Sequence, residues 1–200
     1  NLFLTWGEVE GIVCSGIDKG KKTTYALLDE RIPPTRELCR EEALARLASR
    51  YFQSHSPAQL QDFVWWSGLT ATECRIAINL IKTELMTETF DSREYFIHQS
   101  WKRKNESEPV LRLLPAFDEY LISYKNRTDV LPLEHHPKAF NRFGTFYPVI
   151  LYNGKIIGNW SRSIKKNSIQ IEMDFFEKKP RIPMKLIRQA EAQINAFYGN

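Results

Sequence analysis

The stretch from residue 72 to residue 82 carries side chains suited to contact an anionic polymer. Thr72, Arg75, Asn79 and Lys82 recur at steps of three and four residues, which places them on one side of a helix. The opposite side is spaced to bury Cys74, Ala77, Ile78, Ile81 and Leu85. Two cations can bind phosphates, while an amide and a hydroxyl can read base edges, so this face predicts contact with double-stranded DNA. An ordinary solvated helix has the same polar side, and both interpretations stay open.

Basic residues also gather at predicted turns. The segment 18–22 joins two strand-like stretches, 11–17 and 23–28, and polar or basic turns recur at 125–127 and 165–167. Such tips commonly lie along a phosphate backbone, although lysines in a turn also simply favour solvation. The predicted DNA-contacting residues are therefore Lys19, Lys21, Lys22, Arg75, Asn79, Lys82, Lys125, Arg127, Arg162, Lys165 and Lys166, with Asn79 as the base-edge contact.

Two predicted helices position the first of these surfaces. Ser56-Pro57-Ala58-Gln59 and Thr70-Ala71-Thr72-Glu73 both have the capping-box pattern, and Ser67-Gly68-Leu69 separates them as a turn. This arrangement is typical of a helix-turn-helix. An apolar stripe at 44–52 predicts a preceding amphipathic helix, and strands at 86–90 and 94–99 predict a hairpin behind it. The order of elements predicts a winged helix.

The last third of the chain is rich in predicted strands. Segments 146–152, 155–164 and 168–176 are strand-like, Asn153-Gly154 is a strong hairpin signal, and Pro183 opens an amphipathic helix. The predicted fold class is α+β: the end of one winged helix at 1–35, a winged helix at 36–110, and an antiparallel, barrel-like domain with a C-terminal helix at 111–200. The chain begins in mid-pattern at Asn1, so we expect it to be the C-terminal part of a longer protein.

Composition sets further bounds. Residues 1–100 carry 11 Lys and Arg against 14 Asp and Glu, whereas residues 101–200 carry 17 against 10, so an anionic partner is expected mainly in the second half. Three widely spaced cysteines without a Cys-x-x-Cys motif predict buried free thiols, not a disulfide or structural zinc. No apolar run suggests a membrane span, and we expect a cytoplasmic protein without a metal or cofactor.

Several segments together resemble a known family. GIVCSG with TYALLDERIP, EEALARLASRYFQSHSPAQLQDFVWWSGL, RLLPAFDEYLISYKNR and GTFYPVILYNGKIIGNW, in that order, are similar to the winged-helix family that contains the AlkZ and YcaQ type bacterial DNA glycosylases. The resemblance covers about residues 4–162. It implies tandem winged helices and a β-barrel around duplex DNA, with metal-independent excision of alkylated or cross-linked bases. It also implies a Gln-x-Gln or Gln-x-Asp pair that positions water, near the family's N-terminus.

Gln59-Leu60-Gln61 matches the Gln-x-Gln pattern, but it does not lie in the N-terminal region where the family's pair is expected. The triplet lies at the start of a later helix, where Gln59 has a capping role, so we assign no catalytic residue to this chain and expect the pair upstream of Asn1. The favoured hypothesis is a DNA-binding C-terminal portion of a glycosylase-like repair protein. A winged-helix transcription regulator and a protein-interaction scaffold that does not bind DNA are the alternatives.

Overall fold

A computed structural model describes residues 2–198, except residues 21, 35, 103–107, 166–167 and 179. The chain divides into two compact units, 1–40 and 41–200. The predicted further boundary near residue 110 stays a prediction. Within the described ranges, no helix is both long and apolar enough to cross a bilayer.

The first unit is a helix followed by a short hairpin. It contains α1 (Leu2–Val9), β1 (Val13–Ser15), β2 (Tyr25–Leu27) and α2 (Leu28–Arg31). The two strands pair antiparallel, with Cys14 opposite Ala26. Near the tip, Lys19 and Lys22 exchange backbone hydrogen bonds of 3.0 and 3.2 Å, which close the loop between them. The sequence therefore predicted this hairpin correctly.

The second unit begins with three helices and a hairpin. These are α3 (Arg40–His55), α4 (Leu60–Ser67), α5 (Ala71–Leu80), a 3₁₀ turn (Lys82–Glu84), β3 (Leu85–Phe90) and β4 (Arg93–His98). Their shared core contains Ala48, Tyr51 and Phe52 from α3, Phe63 from α4 and Ala77 from α5. The stripe on α3 thus packs against the helix pair, as its spacing predicts.

The predicted start of α4 was wrong by three residues, because the helix is capped at Gln59 and not at Ser56. The Ser56 hydroxyl donates to the Phe52 carbonyl at 2.5 Å and accepts from the His98 backbone N–H at 2.8 Å, so it cannot cap the next helix. Ala58 forms a β-bridge with Phe96 on the hairpin. Gln59 is consequently the residue before the first turn of α4, and the Asp62 carboxylate accepts its backbone N–H at 2.9 Å.

The remainder of this unit is one antiparallel sheet with helices on it. β5 (Leu111–Leu114), β6 (Val149–Tyr152), β7 (Lys155–Lys165) and β8 (Ser168–Phe175) lie in that order. Short helices α6 (Glu119–Ile122) and α7 (His136–Ala139) interrupt the connection from β5 to β6, and α8 (Met184–Tyr198) follows β8. Asn153 and Gly154 have φ of 47° and 78°, the backbone that a two-residue hairpin requires.

Alternation along the strands separates two cores. Ile150, Trp160 and Ile187 pack together on the face that α8 covers, whereas Val149 and Ile156 pack with Leu121 on the other face. Successive side chains of a strand point to opposite faces, which explains why neighbours Val149 and Ile150 enter different cores. In the described ranges the sheet is open, with β5 and β8 at its edges, so the barrel-like prediction is corrected to a four-stranded sheet. β8 is followed by α8, whose Ile187 and Ala190 pack on one face of the sheet.

The cysteine prediction also needs a correction. All three thiols are free, but only Cys74 is buried, while Cys14 is half-buried and Cys39 is exposed. Burial raises the pKa of the Cys74 thiol, against a hydrogen bond from Ser67 that lowers it. Cys74 therefore acts as a small core residue of α5.

Candidate nucleic-acid interface

The turn between α4 and α5 is fixed by local chemistry. Gly68 ends α4 with φ of 70°, and its N–H donates to the Val64 carbonyl at 3.1 Å. Thr70 then caps α5: its hydroxyl accepts from the Glu73 backbone N–H at 3.3 Å, and the Glu73 carboxylate accepts from the Thr70 backbone N–H at 3.0 Å. These bonds satisfy N–H groups that a helix start leaves without partners.

The predicted polar face of α5 is open to solvent. Thr72, Arg75 and Asn79 are exposed on the helix, and Lys82 is exposed in the 3₁₀ turn that follows it. The opposite side is buried through Cys74, Ala77 and Ile81. The structure therefore brings two cations, an amide and a hydroxyl to one accessible side of the helix pair.

The acidic neighbours of this face have local partners. Glu73 belongs to the cap of α5, as described above. Glu84 accepts a hydrogen bond from the Ser49 hydroxyl at 2.7 Å and lies 3.4 Å from His98 Nε2. These carboxylates therefore brace α5 and the hairpin, whereas Arg75 and Lys82 project outward.

The other predicted contacts lie apart along the chain. Lys19 and Lys22 are exposed at the hairpin tip of the first unit, while Lys21 is outside the described residues. Lys165 ends β7, where it pairs with Ser168, and Lys166 lies outside the described residues. Arg162 is exposed on β7, with its guanidinium 3.3 Å from the centroid of the Tyr198 ring.

Lys125 and Arg127 have different surroundings although only one residue, Asn126, lies between them. Lys125 is exposed, and its backbone N–H donates to the buried carboxylate of Asp62 at 2.9 Å. The Arg127 guanidinium instead lies 5.2–5.5 Å from the centres of three aromatic rings, those of Trp65, Phe140 and Phe146.

Backbone oxygens accept hydrogen bonds from two of the three nitrogens of the Arg127 guanidinium. Its Nε donates to the Leu121 carbonyl at 2.6 Å, and one terminal nitrogen donates to the Lys125 carbonyl at 3.2 Å. Burial lowers the pKa of the guanidinium, while the negative charge of Asp62 opposes that shift. These contacts hold α4 and the loop before β6 together, whereas the other terminal nitrogen, Nη2, is buried without a hydrogen-bond partner in the described ranges.

A cavity of about 350 Å³ lies between the start of α4, strand β4 and the segment 120–130. Its walls include Gln59, Asp62, Tyr95, Tyr124 and Asp129. Burial raises the pKa of Tyr124 to about 12, so its hydroxyl, which donates to the His55 carbonyl at 3.0 Å, stays protonated at neutral pH. The second glutamine of the Gln59–Gln61 triplet, Gln61, is exposed and is not among the wall residues. Gln59 therefore has a place at the helix start, as the sequence predicts, but without Gln61 beside it in the cavity.

One possible ligand cluster escaped the sequence analysis. His135 Nε2 lies 3.1 Å from a carboxylate oxygen of Glu177 and 3.8 Å from one of Glu134. These three side chains are the ones in the described part of the chain whose ligand atoms could hold a metal ion. The sequence does not reveal this cluster, because Glu177 follows β8 and lies 42 residues after His135 in the chain.

Comparison with known proteins places these features in a family. The model of the family described as DNA glycosylase AlkZ-like matches residues 4–196. An interstrand DNA cross-link repair glycosylase of Streptomyces sahachiroi is 24% identical over an alignment 209 residues long, which covers 97% of this chain and 55% of that protein. The solved structure of Streptomyces sahachiroi DNA glycosylase AlkZ shares the fold, with a TM-score of 0.76, 22% identity, and coverage of 97% of this chain and 55% of its own.

The chain spans about half the length of the relative that it matches. Since the family model covers nearly all of it, the resemblance found in the sequence segments is confirmed. The chain belongs to the AlkZ-like DNA glycosylase family.

Proposed function

We propose that this chain is the DNA-binding portion of a DNA repair protein of the glycosylase class. The observation that carries the proposal is the open face of α5, where Arg75 and Asn79 are exposed on a helix whose other side is core, and Lys82 is exposed in the 3₁₀ turn that follows it. The curated relative repairs interstrand DNA cross-links, and a protein with that task needs a surface that holds duplex DNA.

The arrangement of elements supports a winged helix around this face. The helix α3 packs behind the α4–α5 pair, and the β3–β4 hairpin follows directly, which is the order of a winged helix-turn-helix. In this class of module the second helix of the pair enters the major groove. α5 would then place Asn79 at base edges, with Arg75 and Lys82 at the flanking phosphates.

Further phosphate contacts would come from exposed cations outside α5. Lys125 is exposed in the loop after α6, Arg162 is exposed on β7, and Lys19 and Lys22 are exposed at the hairpin tip of the first unit. Lys21, Lys165 and Lys166 complete the proposed set by their position in the sequence. Arg127 is left out of it because aromatic rings and carbonyl oxygens already surround its guanidinium.

Salt dependence of duplex binding tests the proposal. Each phosphate that is neutralised contributes a slope of about −0.9 to log K against log salt, so four contacts weaken binding about 100-fold between 50 and 200 mM salt. The measurement is fluorescence anisotropy of a labelled duplex titrated with the full chain. Arg75→Ala and Lys82→Ala should each make the slope shallower by about 0.9.

Arg46→Ala is the matched control, because Arg46 is an exposed arginine on α3 that pairs with Glu42 at 3.0 Å. It should leave the slope unchanged. Binding that does not respond to salt, or an Arg75→Ala slope equal to that of Arg46→Ala, would contradict the proposal. Strong preference for one undamaged sequence would favour a transcription regulator, and absence of duplex binding would favour a protein scaffold.

A further inference from the structure

A tight loop before β6 holds an aromatic ring out in solvent. Phe140 and Phe146 pair as an antiparallel bridge at its base, and the Asn141 N–H donates to the Thr145 carbonyl at 3.0 Å. Phe143 at its tip is 79% exposed. A single exposed apolar side chain is common on protein surfaces, but this phenylalanine is carried by a loop whose backbone is well bonded.

Hydrogen bonds within the loop fix the direction of the tip. The Asn141 side-chain oxygen accepts from the backbone N–H groups of Phe143 at 2.9 Å and Thr145 at 3.1 Å. Its amide nitrogen donates to the Tyr147 hydroxyl at 3.2 Å. Gly144 has φ of 80° and donates to the Asn141 carbonyl at 3.1 Å. The backbone that carries Phe143 is therefore set before any partner arrives, which lowers the entropic cost of binding.

The charge around the tip favours a polyanion as the partner. The Arg142 guanidinium carbon lies 4.8 Å from the centre of the Phe143 ring and is exposed. Segment 136–150 also contains Lys138, which is exposed, and it contains no aspartate or glutamate. A flat apolar protein partner would not need this excess of positive charge. A nucleic acid favours cations beside a side chain that approaches its bases, because its phosphates are negatively charged.

Another exposed aromatic side chain lies near the base of the loop. The Phe117 ring centre is 6.3 Å from that of Phe146, and Phe117 is exposed with φ of 57°. A bulky residue in this backbone region is uncommon and is held there by its surroundings. Phe117 therefore adds aromatic area near the base of the loop, although Asp118 and Glu119 follow it directly in the chain.

We propose that Phe143 is a wedge that inserts between base steps of duplex DNA, with Arg142 on the adjacent phosphate. Apolar side chains such as phenylalanine and leucine insert in this way from the minor groove and partly unstack the bases. An enzyme that acts on a base in a duplex must take that base out of the stack, and a wedge lowers the cost of doing so. The inference rests on the proposed function, because it requires that the chain binds duplex DNA.

The two residues should have separable effects on binding. Phe143→Ala removes stacking without removing charge, so affinity should fall about 5- to 100-fold with the salt slope unchanged. Phe143→Leu keeps an apolar wedge and should bind within about threefold of the wild type. Arg142→Ala should make the slope shallower by about 0.9.

The experiment titrates the full chain into a duplex that contains one 2-aminopurine, whose fluorescence rises when it is unstacked. The wild-type chain should bind and raise the fluorescence, and Phe143→Ala should lose most of that rise even at saturating protein. The matched control is Leu133→Ala, which truncates another exposed apolar side chain of the same unit and should change neither signal.

Two results would overturn the inference, and they differ from each other. Duplex binding with a normal salt slope, but with Phe143→Ala equal to Leu133→Ala in affinity and fluorescence, would reject the wedge while leaving the proposed function intact. Absence of duplex binding by the wild-type chain would reject both.

Discussion

Replacement of Asp62 by asparagine should destabilise the second unit by about 2–4 kcal/mol. Asp62 is only 3% exposed, and its two carboxylate oxygens accept from two backbone N–H groups, that of Gln59 at 2.9 Å and that of Lys125 at 2.9 Å. One oxygen thus caps α4 and the other fixes the loop that carries Lys125. Hydrogen bonds to a charged group each contribute about 1.5–3 kcal/mol.

The magnitude follows from what asparagine can still do in that site. Its oxygen can accept one of the two N–H groups, but its amide nitrogen then faces the other N–H as a second donor. One charge-assisted bond is lost and buried donors lack an acceptor, which together cost more than a single neutral hydrogen bond. For a unit of this size, 2–4 kcal/mol lowers Tm by about 4–16 °C.

Urea unfolding followed by circular dichroism measures the change in free energy. Asp174→Asn is the matched control, because Asp174 is an exposed aspartate on β8 and the same exchange there should cost less than about 0.5 kcal/mol. If Asp62→Asn and Asp174→Asn were equally stable, the carboxylate would not hold α4 and the Lys125 loop together, and the reasoning would fail.

Three further predictions concern the contacts around the sheet. Arg127→Lys should destabilise the protein by about 1–3 kcal/mol in urea unfolding, because an ammonium group cannot keep both carbonyl contacts and the three ring contacts; an unchanged midpoint would contradict this. Gly158→Ala should lower the free energy of unfolding by about 1–3 kcal/mol or more, since an added Cβ would lie 2.2 Å from the Asp174 carbonyl oxygen. Gly20→Ala is the comparison, because Gly20 has a positive φ but open space around it, so that this variant measures backbone strain alone. Asp129 accepts two hydrogen bonds from Arg93 at 3.0 Å, which lower the pKa of its carboxyl group. A depressed pKa gives stability that is present above the unfolded-state value of about 3.9 and is lost as pH falls through the folded value. The wild type should thus be slightly more stable than Asp129→Asn at pH 6, since the pair is largely open to solvent, and this advantage should shrink as the pH falls below about 3.9. A stability difference that grows on acidification would contradict the prediction.

Local signals in the sequence predicted local structure well. Thr70 and Glu73 cap α5 as their spacing indicates, Gly68 ends α4, and Asn153-Gly154 makes the turn between β6 and β7. Each of these features depends on residues within about four positions of one another, so their partners could be found by reading along the chain.

Ser56 shows where such reading fails. Its pattern with Gln59 satisfies the capping rule, yet its hydroxyl bonds to Phe52 and His98, the latter 42 residues away. A serine accepts whichever N–H group the tertiary structure brings closest, and that competition has no trace in the local sequence. The pairing of β5 is equally invisible in the local sequence. Its partner β6 begins 38 residues after β5 begins, so the sequence indicates each strand but not that the two pair.

Lys125 and Arg127 show the same distinction at the level of function. Composition predicts both as phosphate contacts, since each is a cation in a polar turn. The structure surrounds Arg127 with rings from α4 and from the loop before β6, whereas the Lys125 backbone is fixed by Asp62 and its side chain is exposed. Charge in the sequence identifies the residues that could bind an anion, and packing of distant segments decides which of them are available to do so. A count of cations likewise cannot identify Phe143 as a candidate DNA contact. That inference depends on the hydrogen bonds of Asn141, which fix the loop that exposes the Phe143 ring.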